Sequence, residues 1–259
     1  MPTQSSDFPS LLYRFSSVER AESLLAKGRA FYPSPTDFND PFDCKFRFTD
    51  SSRDLRRRLS GELVQERGVN LSRRERRSMA ASGASSSSYR RAEERLRQRI
   101  ARRVGILSFS SKVKNLLMWS HYAVSHSGVC FEFDSAGLKG KALKVNYSSE
   151  YPTLDFLKAA TQAREDAPEE AYRRVAETLY LTKSLDWTYE DEWRIIDPRH
   201  GRGFQSFPAE HLTAVILGCR ISASDADRVK GWMRDGPMNP RLRQAQANSR
   251  SYSLEIRDL

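Results

Sequence analysis

Apolar and polar residues alternate over several short stretches of the chain, a two-residue period typical of strands that bury one face. The clearest case is residues 129–134, where Val129, Phe131 and Phe133 share one face of the predicted strand. Comparable patterns between turn residues predict further strands at residues 9–15, 31–32, 104–110, 141–147, 190–196, 212–221 and 250–259.

Helical patterns and helix-capping residues lie between these strands, at residues 18–27, 115–128, 166–183 and 222–233. The first helix follows a predicted capping box of Ser16 and Glu19 and ends at Gly28. Strands outnumber long helices and do not strictly alternate with them. The sequence therefore predicts a single α+β domain over residues 1–259, with a mixed or antiparallel sheet and peripheral helices.

Hydropathy and cysteine usage bear on location. No apolar run approaches the roughly 20 residues that a membrane helix needs, and the N-terminus lacks the pattern of a secretory signal. The three cysteines, Cys44, Cys130 and Cys219, form no CxxC pair and suit buried thiols in a reducing compartment. We expect no membrane association and a cytoplasmic protein, with delivery into a target cell left open.

The formal net charge of +10 is concentrated in one segment. Between Ser51 and Arg103 there are 16 arginines and 6 acidic residues, and the rest of the chain is balanced. Leucine spacing predicts helices over Arg53–Arg67 and Tyr89–Val104, joined by a flexible, serine-rich spacer at residues 79–88. Residues 51–104 are thus predicted to form an inserted Arg-rich helical hairpin.

Three interpretations of this Arg-rich arm, residues 53–103, stay open. It is a solvated hairpin, a clamp for nucleic-acid phosphates, which guanidinium groups bind bidentately, or a docking surface for an acidic protein.

The segment around Glu190 and Glu192 offers the clearest candidate chemistry. No GxGxxG, Walker, HExxH or GxSxG motif is present in the sequence. On a strand, Glu190 and Glu192 would share one face about 7 Å apart and could hold a sugar hydroxyl and activate a nucleophile. The alternative is a surface strand on which Glu192 pairs with Arg194.

Two further segments carry candidate binding residues. Ser108, Phe109 and Ser110 end a predicted strand, where hydroxyl groups could bind a ribose or phosphate or cap the next helix. Trp119 and Tyr122 lie side by side at helical spacing. They are either core residues or aromatic rings that stack on a nicotinamide or a base. Beside them His121 is either structural or a direct participant.

The loop at residues 39–43 is rich in turn residues, which makes local structure the default interpretation. Asp40 and Asp43 could also bind a divalent metal.

The combined motifs resemble a widespread bacterial family of unknown function, domain-of-unknown-function family 2971. The residues that carry the resemblance are FNDPFD at 38–43, SFS at 108–110, MWSHYA and SHSGVCFEFD within 118–134, Lys183, and W-x-YEDEWR at 187–194. This resemblance covers most of the chain outside the arm and implies no activity.

A second resemblance does imply an activity. The order of Arg14 on the first strand, Ser108-Phe109-Ser110 on a later strand, and Glu190-x-Glu192 is similar to the Arg, Ser-x-Ser, Glu-x-Glu order of ADP-ribosyltransferases. The resemblance implies a split β-sandwich with helices and NAD as substrate. Phe109 departs from the threonine usual at that position.

The resemblance also implies roles for residues that contact NAD. Arg14, or its neighbour Tyr13, would bind the pyrophosphate. Ser108 and Ser110 would shape the nicotinamide ribose site, together with Phe109 between them.

The remaining roles concern the reacting groups. Trp119 or Tyr122 would stack on nicotinamide, with His121 beside the ring. Glu192 would stabilise the oxocarbenium ion, and Glu190 would position the acceptor.

Three functions are weighed. The leading hypothesis is an ADP-ribosyltransferase-like enzyme that consumes NAD, as a toxin, effector or phage-defence component with a nucleic-acid or protein target and a potential immunity or regulatory partner. One alternative is a metal-dependent nuclease that uses Asp40, Asp43, Glu190 and Glu192. The other is a non-catalytic module that binds nucleic acid or protein.

Overall fold

A computed structural model describes residues 8–49, 98, 101–102, 104–155 and 177–259. The serine-rich spacer at residues 79–88 and nearly all of the predicted insertion at 51–104 lie outside the described residues, as do residues 166–176 of a predicted helix.

The strands are, in chain order, β1 (Leu11–Ser16), β2 (Arg29–Tyr32), β3 (Arg47–Thr49), β4 (Gly105–Ser110), β5 (Val129–Asp134), β6 (Ala142–Lys144), β7 (Asn146–Ser148), β8 (Thr153–Asp155), β9 (Thr182–Ser184), β10 (Glu192–Asp197), β11 (Gly203–Ser206), β12 (Leu212–Leu217), β13 (Arg241–Ala247) and β14 (Leu254–Asp258). The described helices are α1 (Val18–Lys27), α2 (Leu116–Tyr122) and α3 (Ala223–Asp235), with 3-10 turns at Pro35–Asp37, Ser135–Leu138, Leu185–Glu190 and Ala209–His211.

Eight of these strands form one sheet in the order β14-β13-β12-β5-β1-β4-β10-β6. The β12–β13 pair is parallel and the other pairs in this sheet are antiparallel. Three two-stranded pairs, β11-β2, β3-β8 and β7-β9, lie outside it. The predicted α+β class with a mixed sheet is confirmed.

The three motif-bearing strands, β1, β4 and β10, are adjacent in the half of the sheet that ends at β6. Strand β4 lies between β1 and β10. Ser110 is paired in register with both Tyr13 and Glu192. Because cross-strand partners point to the same face of a sheet, these three side chains form one row.

Each face of the sheet has its own hydrophobic core. The first is covered by α1 and α3 and includes Phe109, Phe131 and Trp193. The second is covered by α2 and includes Phe15 and Trp119. The predicted alternation at 129–134 is confirmed. Val129, Phe131 and Phe133 of β5 lie in the first core, and Cys130 lies in the second.

Helix α1 has the predicted bounds but a different N-cap. The side chain of Ser17, rather than Ser16, accepts a hydrogen bond from the Arg20 backbone. At the other end Gly28 adopts a left-handed conformation with φ 63°, which glycine tolerates without a Cβ clash. Both ends of the helix thereby satisfy free backbone groups.

The predicted helix over 115–128 is shorter in the structure. Helix α2 ends at Tyr122, because Val124, Ser125 and His126 all have positive φ and cannot continue a right-handed helix.

The predicted helix over 166–183 also ends early within its described part. Residues 177–180 are helical, but Lys183 lies in strand β9, which pairs with β7. The strands β3, β8, β11 and β13 were not predicted from the sequence. Within the described part of the chain, no helix is long and apolar enough to cross a membrane.

Candidate functional site

The two glutamates of the predicted strand 190–196 lie on different elements. Glu190 ends the 3-10 turn Leu185–Glu190, and Asp191 has a left-handed backbone with φ 43°. Strand β10 begins only at Glu192. The prediction that Glu190 and Glu192 share one strand face is wrong, because this bend separates them. We call residues 185–191 the Glu190 turn.

Lys183 nevertheless brings both carboxylates together. Its Nζ lies 2.5 Å from Glu190 Oε2 and 3.0 Å from Glu192 Oε2. Asp43 Oδ2, from the loop after β2, is 3.5 Å away. The Trp187 ring lies 5.0 Å from the ammonium group. Two neighbouring glutamates and an aspartate from a much earlier segment therefore share one lysine.

Arg194 joins two of the same carboxylates through paired contacts. Its Nε and Nη2 donate to Glu192 Oε1 and Oε2 at 2.8 and 2.9 Å. Its Nη1 and Nη2 donate to Asp43 Oδ1 and Oδ2 at 3.0 and 2.6 Å. Nη1 also donates to the Tyr180 carbonyl at 2.7 Å. Such bidentate pairs are the strongest geometry available to arginine, so Glu192 is firmly oriented.

These five side chains form a buried charge cluster: Asp43, Lys183, Glu190, Glu192 and Arg194. Arg194 is 0% exposed, Glu190 2% and Glu192 4%. The sequence interpretation of a surface pair between Glu192 and Arg194 is thus correct about the pair and wrong about the surface. Buried charges are tolerated when they are paired and hydrogen-bonded.

The two glutamates titrate in opposite directions. Burial alone would raise the pKa of Glu192, but Arg194 and Lys183 outweigh burial and lower it to about 2. Burial raises the pKa of Glu190; Lys183 opposes this rise and the charge of Glu192 adds to it. A pair of carboxyls whose pKa values are driven apart can divide acid–base roles.

Two tyrosines complete the surroundings of the glutamates. The Tyr122 hydroxyl donates to Glu190 Oε1 at 2.6 Å, and burial together with the charge of Glu190 raises the pKa of Tyr122. The Tyr147 hydroxyl accepts a hydrogen bond from the Glu192 backbone at 2.8 Å. Glu190 is therefore held by both a cation and a hydroxyl.

The Glu190 turn is tied to the end of β4. Ser110 Oγ donates to the Glu190 carbonyl at 2.5 Å, and Asn115 Nδ2 donates to the Tyr189 carbonyl at 2.8 Å. The Ser111 hydroxyl donates to the Asp191 carboxylate. These bonds cross long sequence separations and fix the carboxylates against the sheet.

An open cleft of about 600 Å³ lies where these two segments meet. Its lining includes Lys112, Lys114, Asn115, Tyr189 and Asp191. Lys112 is 3.6 Å from Asp191. Positive side chains, amide and hydroxyl groups and one aromatic ring suit an anionic ligand that carries a flat ring.

Of the two residues predicted to bind the pyrophosphate, Tyr13 lies on the face of the sheet that carries Ser110 and Glu192, and Arg14 lies on the other face. Tyr13 belongs to the row with Ser110 and Glu192. Arg14 is paired in register with Phe131, on the opposite face, and its Nη1 donates to the Ser108 carbonyl at 3.0 Å. Burial lowers the pKa of Arg14 to about 10.

The aromatic candidates also separate. Trp119 is 0% exposed, and its Nε1 donates to the Val113 carbonyl, so its ring belongs to the core. Phe109 belongs to the other core. Tyr122 contacts Glu190. His121 is exposed and lies 6.4 Å, between ring centroids, from both Trp187 and Tyr189.

The carboxylates of the nuclease alternative are arranged around protein cations. Asp43, Glu190 and Glu192 meet at Lys183, whose positive charge opposes a metal ion in that position. Asp40 Oδ1 instead accepts from the Phe42 backbone. Over the described ranges, no group of three or more His, Cys, Asp or Glu residues is arranged to hold a metal ion.

Sequence reasoning assigned no site role to Lys183, and treated Arg194 only as a pairing partner. The signal available was that a lysine and an arginine flank Glu190 and Glu192 within the motif Lys183 to Arg194. Asp43 precedes Lys183 by 140 residues and Arg194 by 151 residues. Its contact with both is therefore a property of the tertiary structure.

The fold is mixed α+β, and the buried charge cluster is its candidate site. A family model described as a protein of unknown function (DUF2971) matches residues 118–195. The match runs from α2 into β10 and contains every member of the cluster except Asp43. No curated protein and no solved structure matches the chain. The comparisons thus support the first family resemblance over this stretch and bring nothing to the second.

Proposed function

We propose that the chain is an ADP-ribosyltransferase-like enzyme that cleaves the nicotinamide glycosidic bond of NAD and transfers ADP-ribose to a macromolecular target. The observation that carries the proposal is the row of Tyr13, Ser110 and Glu192 on three adjacent strands. The resemblance in motif order requires these strands to meet, and in the sheet they are neighbours. On this proposal the sheet is one half of a split β-sandwich.

The cleft beside the Glu190 turn fits a dinucleotide in size and chemistry. Its volume of about 600 Å³ lies within the range of small-molecule sites. Lys112 and Lys114 provide positive charge for phosphates, and Tyr189 provides a ring for stacking. Tyr13 takes the place of Arg14 as the first-strand residue on the correct face of the sheet.

The chemistry would divide between the two carboxylates. When the C–N bond between ribose C1′ and nicotinamide breaks, its electron pair leaves with neutral nicotinamide and positive charge develops on the ribose. Glu192 is ionised at neutral pH, since its pKa is lowered to about 2, and a fixed carboxylate favours that cation. The acceptor then bonds to C1′ and gives its proton to Glu190, whose raised pKa makes it the better base.

The wider biological role follows from the same proposal. The Arg-rich arm, residues 53–103, would hold a nucleic-acid or acidic protein target. The enzyme would act in the cytoplasm, or after delivery into a target cell, as a toxin, effector or phage-defence component with an immunity or regulatory partner.

Nicotinamide release from NAD tests the proposal. We expect the Glu192→Gln variant to lose at least about 100-fold in rate, and the Glu255→Gln variant, which alters an exposed glutamate paired with Arg257, to retain the wild-type rate. Circular dichroism establishes that each variant folds. A folded Glu192→Gln protein as fast as wild type contradicts the proposal.

A milder variant covers the case in which Glu192→Gln does not fold. Tyr122→Phe removes the hydroxyl that donates to Glu190 Oε1 and keeps the ring. It is expected to slow nicotinamide release, because Glu190 loses a fixed hydrogen bond. A rate unchanged from wild type counts against the role of Glu190.

A second candidate is a non-catalytic module that binds nucleic acid or protein. The observation in its favour is that Glu192 already accepts hydrogen bonds from Arg194 and Lys183 on both oxygens, as a purely structural ion pair would. This candidate predicts salt-sensitive binding that survives replacement of both glutamates by glutamine, without nicotinamide release.

A further inference from the structure

The loop of residues 38–44, which we call the motif loop, contacts Arg194 of the buried charge cluster through Phe38, Asp43 and Cys44. Asp43 forms the bidentate pair with Nη1 and Nη2 of Arg194, and the same Nη2 also donates to Glu192. The Phe38 ring lies 5.4 Å from the same guanidinium carbon. The loop is therefore packed against the residue that orients Glu192.

Asp43 also reaches the second cation. Its Oδ2 is 3.5 Å from Lys183 Nζ, which contacts Glu190 and Glu192. With all groups ionised, the cluster holds three negative and two positive charges. Buried charge that lacks a partner is costly, so this arrangement favours the uptake of one proton by the cluster.

We infer that Asp43 is a positioning residue that acts through Arg194 and Lys183 to fix the orientation of Glu192 and to make Glu190 the member of the cluster that takes up a proton. The inference rests on the proposed function for its catalytic meaning, but its structural content can be measured without NAD. It assigns a role to the FNDPFD motif, whose residues do not line the cleft.

Glu190 is the member best placed to hold the proton. Its Oε1 accepts from Tyr122 and its Oε2 from Lys183, whereas both oxygens of Glu192 contact Arg194. Among the residues that the structure describes, the titratable or charged groups that face Glu190 are Lys183 from β9, Glu192 from β10, Tyr122 from α2, Tyr147 from β7 and Tyr189 from its own turn.

The sign of the effect of Asp43 follows from the charge balance. Asp43→Asn removes one negative charge and leaves two carboxylates with two cations. The Glu190 anion is then better compensated, and its pKa falls. Asp43→Asn is thus expected to change the protonation of Glu190. A purely structural role of Asp43 does not require such a change.

The test is carboxyl ¹³C NMR of protein labelled at glutamate, titrated with pH, with the Glu190 signal assigned through Glu190→Gln. We expect Asp43→Asn to lower the pKa of Glu190 by about one unit, a tenfold change in proton affinity. The control is Asp37→Asn, which alters another aspartate paired with an arginine, Arg202 at 2.7 Å, outside the cluster. Asp37→Asn is expected to leave the Glu190 titration at its wild-type position.

An unchanged or raised pKa of Glu190 in a folded Asp43→Asn protein overturns the inference. Should that variant not fold, Phe38→Leu removes the ring beside Arg194 and leaves every charge in place. The pKa of Glu192 is then expected to rise toward its ordinary value, because Arg194 is held less rigidly. Unaltered titration of both glutamates in that variant overturns the inference as well.

The pH profile of nicotinamide release separates the two proposals. If the enzyme is active, the acidic limb of the Asp43→Asn profile moves to lower pH together with the Glu190 titration, and an unmoved limb counts against the inference. If wild-type protein releases no nicotinamide, the proposed function fails while the NMR titration still decides the role of Asp43.

Discussion

At the residue scale, Arg194 is held by two carboxylates of the buried charge cluster and by one backbone carbonyl. Arg194 is fully buried and donates five hydrogen bonds to Asp43, Glu192 and the Tyr180 carbonyl. Transfer of such a group from water is costly, and only complete pairing compensates. The cluster is therefore sensitive to the loss of a single partner, whereas an exposed ion pair is not.

Replacement of Arg194 tests this sensitivity. We expect Arg194→Ala to lower the free energy of unfolding by about 3–5 kcal/mol, because Asp43 and Glu192 are left buried with one fewer cation. The matched control is Arg257→Ala, which breaks an exposed pair with Glu255 at 2.7 Å and is expected to cost less than about 1 kcal/mol. Urea unfolding measures both, and equal losses would contradict the account.

The acid stability of the protein gives a second test at Glu192. Its folded-state pKa of about 2 is below the unfolded value near 4.5, so the ionised form stabilises the folded state above the unfolded pKa. That stabilisation is lost as the pH falls from about 4.5 to about 2. Urea unfolding between pH 2 and 7 is expected to show a shallower pH dependence for Glu192→Gln in this window. Parallel curves of unfolding free energy against pH for variant and wild type would show that the folded-state pKa of Glu192 is not lowered.

At the scale of elements, local patterns predicted the strands of the eight-stranded sheet except β13, and missed β3, β8, β9, β11 and the bends. The alternation at 129–134 correctly identified β5 and both of its faces. The run 190–196 was predicted as one strand, because nothing in the pattern shows that Asp191 adopts a left-handed backbone. The pattern on β1 does not show whether the side chain of Tyr13 or that of Arg14 faces the site. The pairing of Tyr13 with Ser110 shows that it is Tyr13.

The connection between β4 and the Glu190 turn is testable at Ser110. Its hydroxyl, 0% exposed, donates to the Glu190 carbonyl and accepts from the Lys112 backbone at 3.0 Å. We expect Ser110→Ala to cost about 1–3 kcal/mol of unfolding free energy, since the buried Glu190 carbonyl and the Lys112 N–H lose their partner. Thermal unfolding measures the loss. Ser206→Ala, at an exposed position on β11, is the control expected to have little effect, and similar behaviour of the two would refute the connection.

At the scale of the whole molecule, the sheet assembles a site from residues that lie far apart in the sequence. Asp43, Ser110, Lys183 and Glu192 come from four separate segments and meet at one edge of the Glu190 turn. Composition and periodicity predicted the α+β class because they depend on local preference. The charge cluster depends on pairings across as many as 151 residues, which a single sequence does not encode in any local pattern.

The excess positive charge also belongs to this scale. Residues 51–103 contain all of it, so their deletion is expected to weaken nucleic-acid binding and to flatten its dependence on salt. Filter binding of wild-type and deleted protein to the same RNA or DNA over a salt series measures the slope. A slope that the deletion leaves unchanged would show that the arm makes no phosphate contacts.

The most direct test of the account is an NMR map of backbone amides during titration with NAD. Binding of NAD in the cleft predicts the largest shift changes at its lining segments 111–115 and 188–191 and at the adjacent Ser110 and Glu192, with smaller changes in the remote β2–β11 pair. Shift changes confined to that remote pair, or absent at NAD concentrations that saturate ordinary NAD enzymes, would contradict the account.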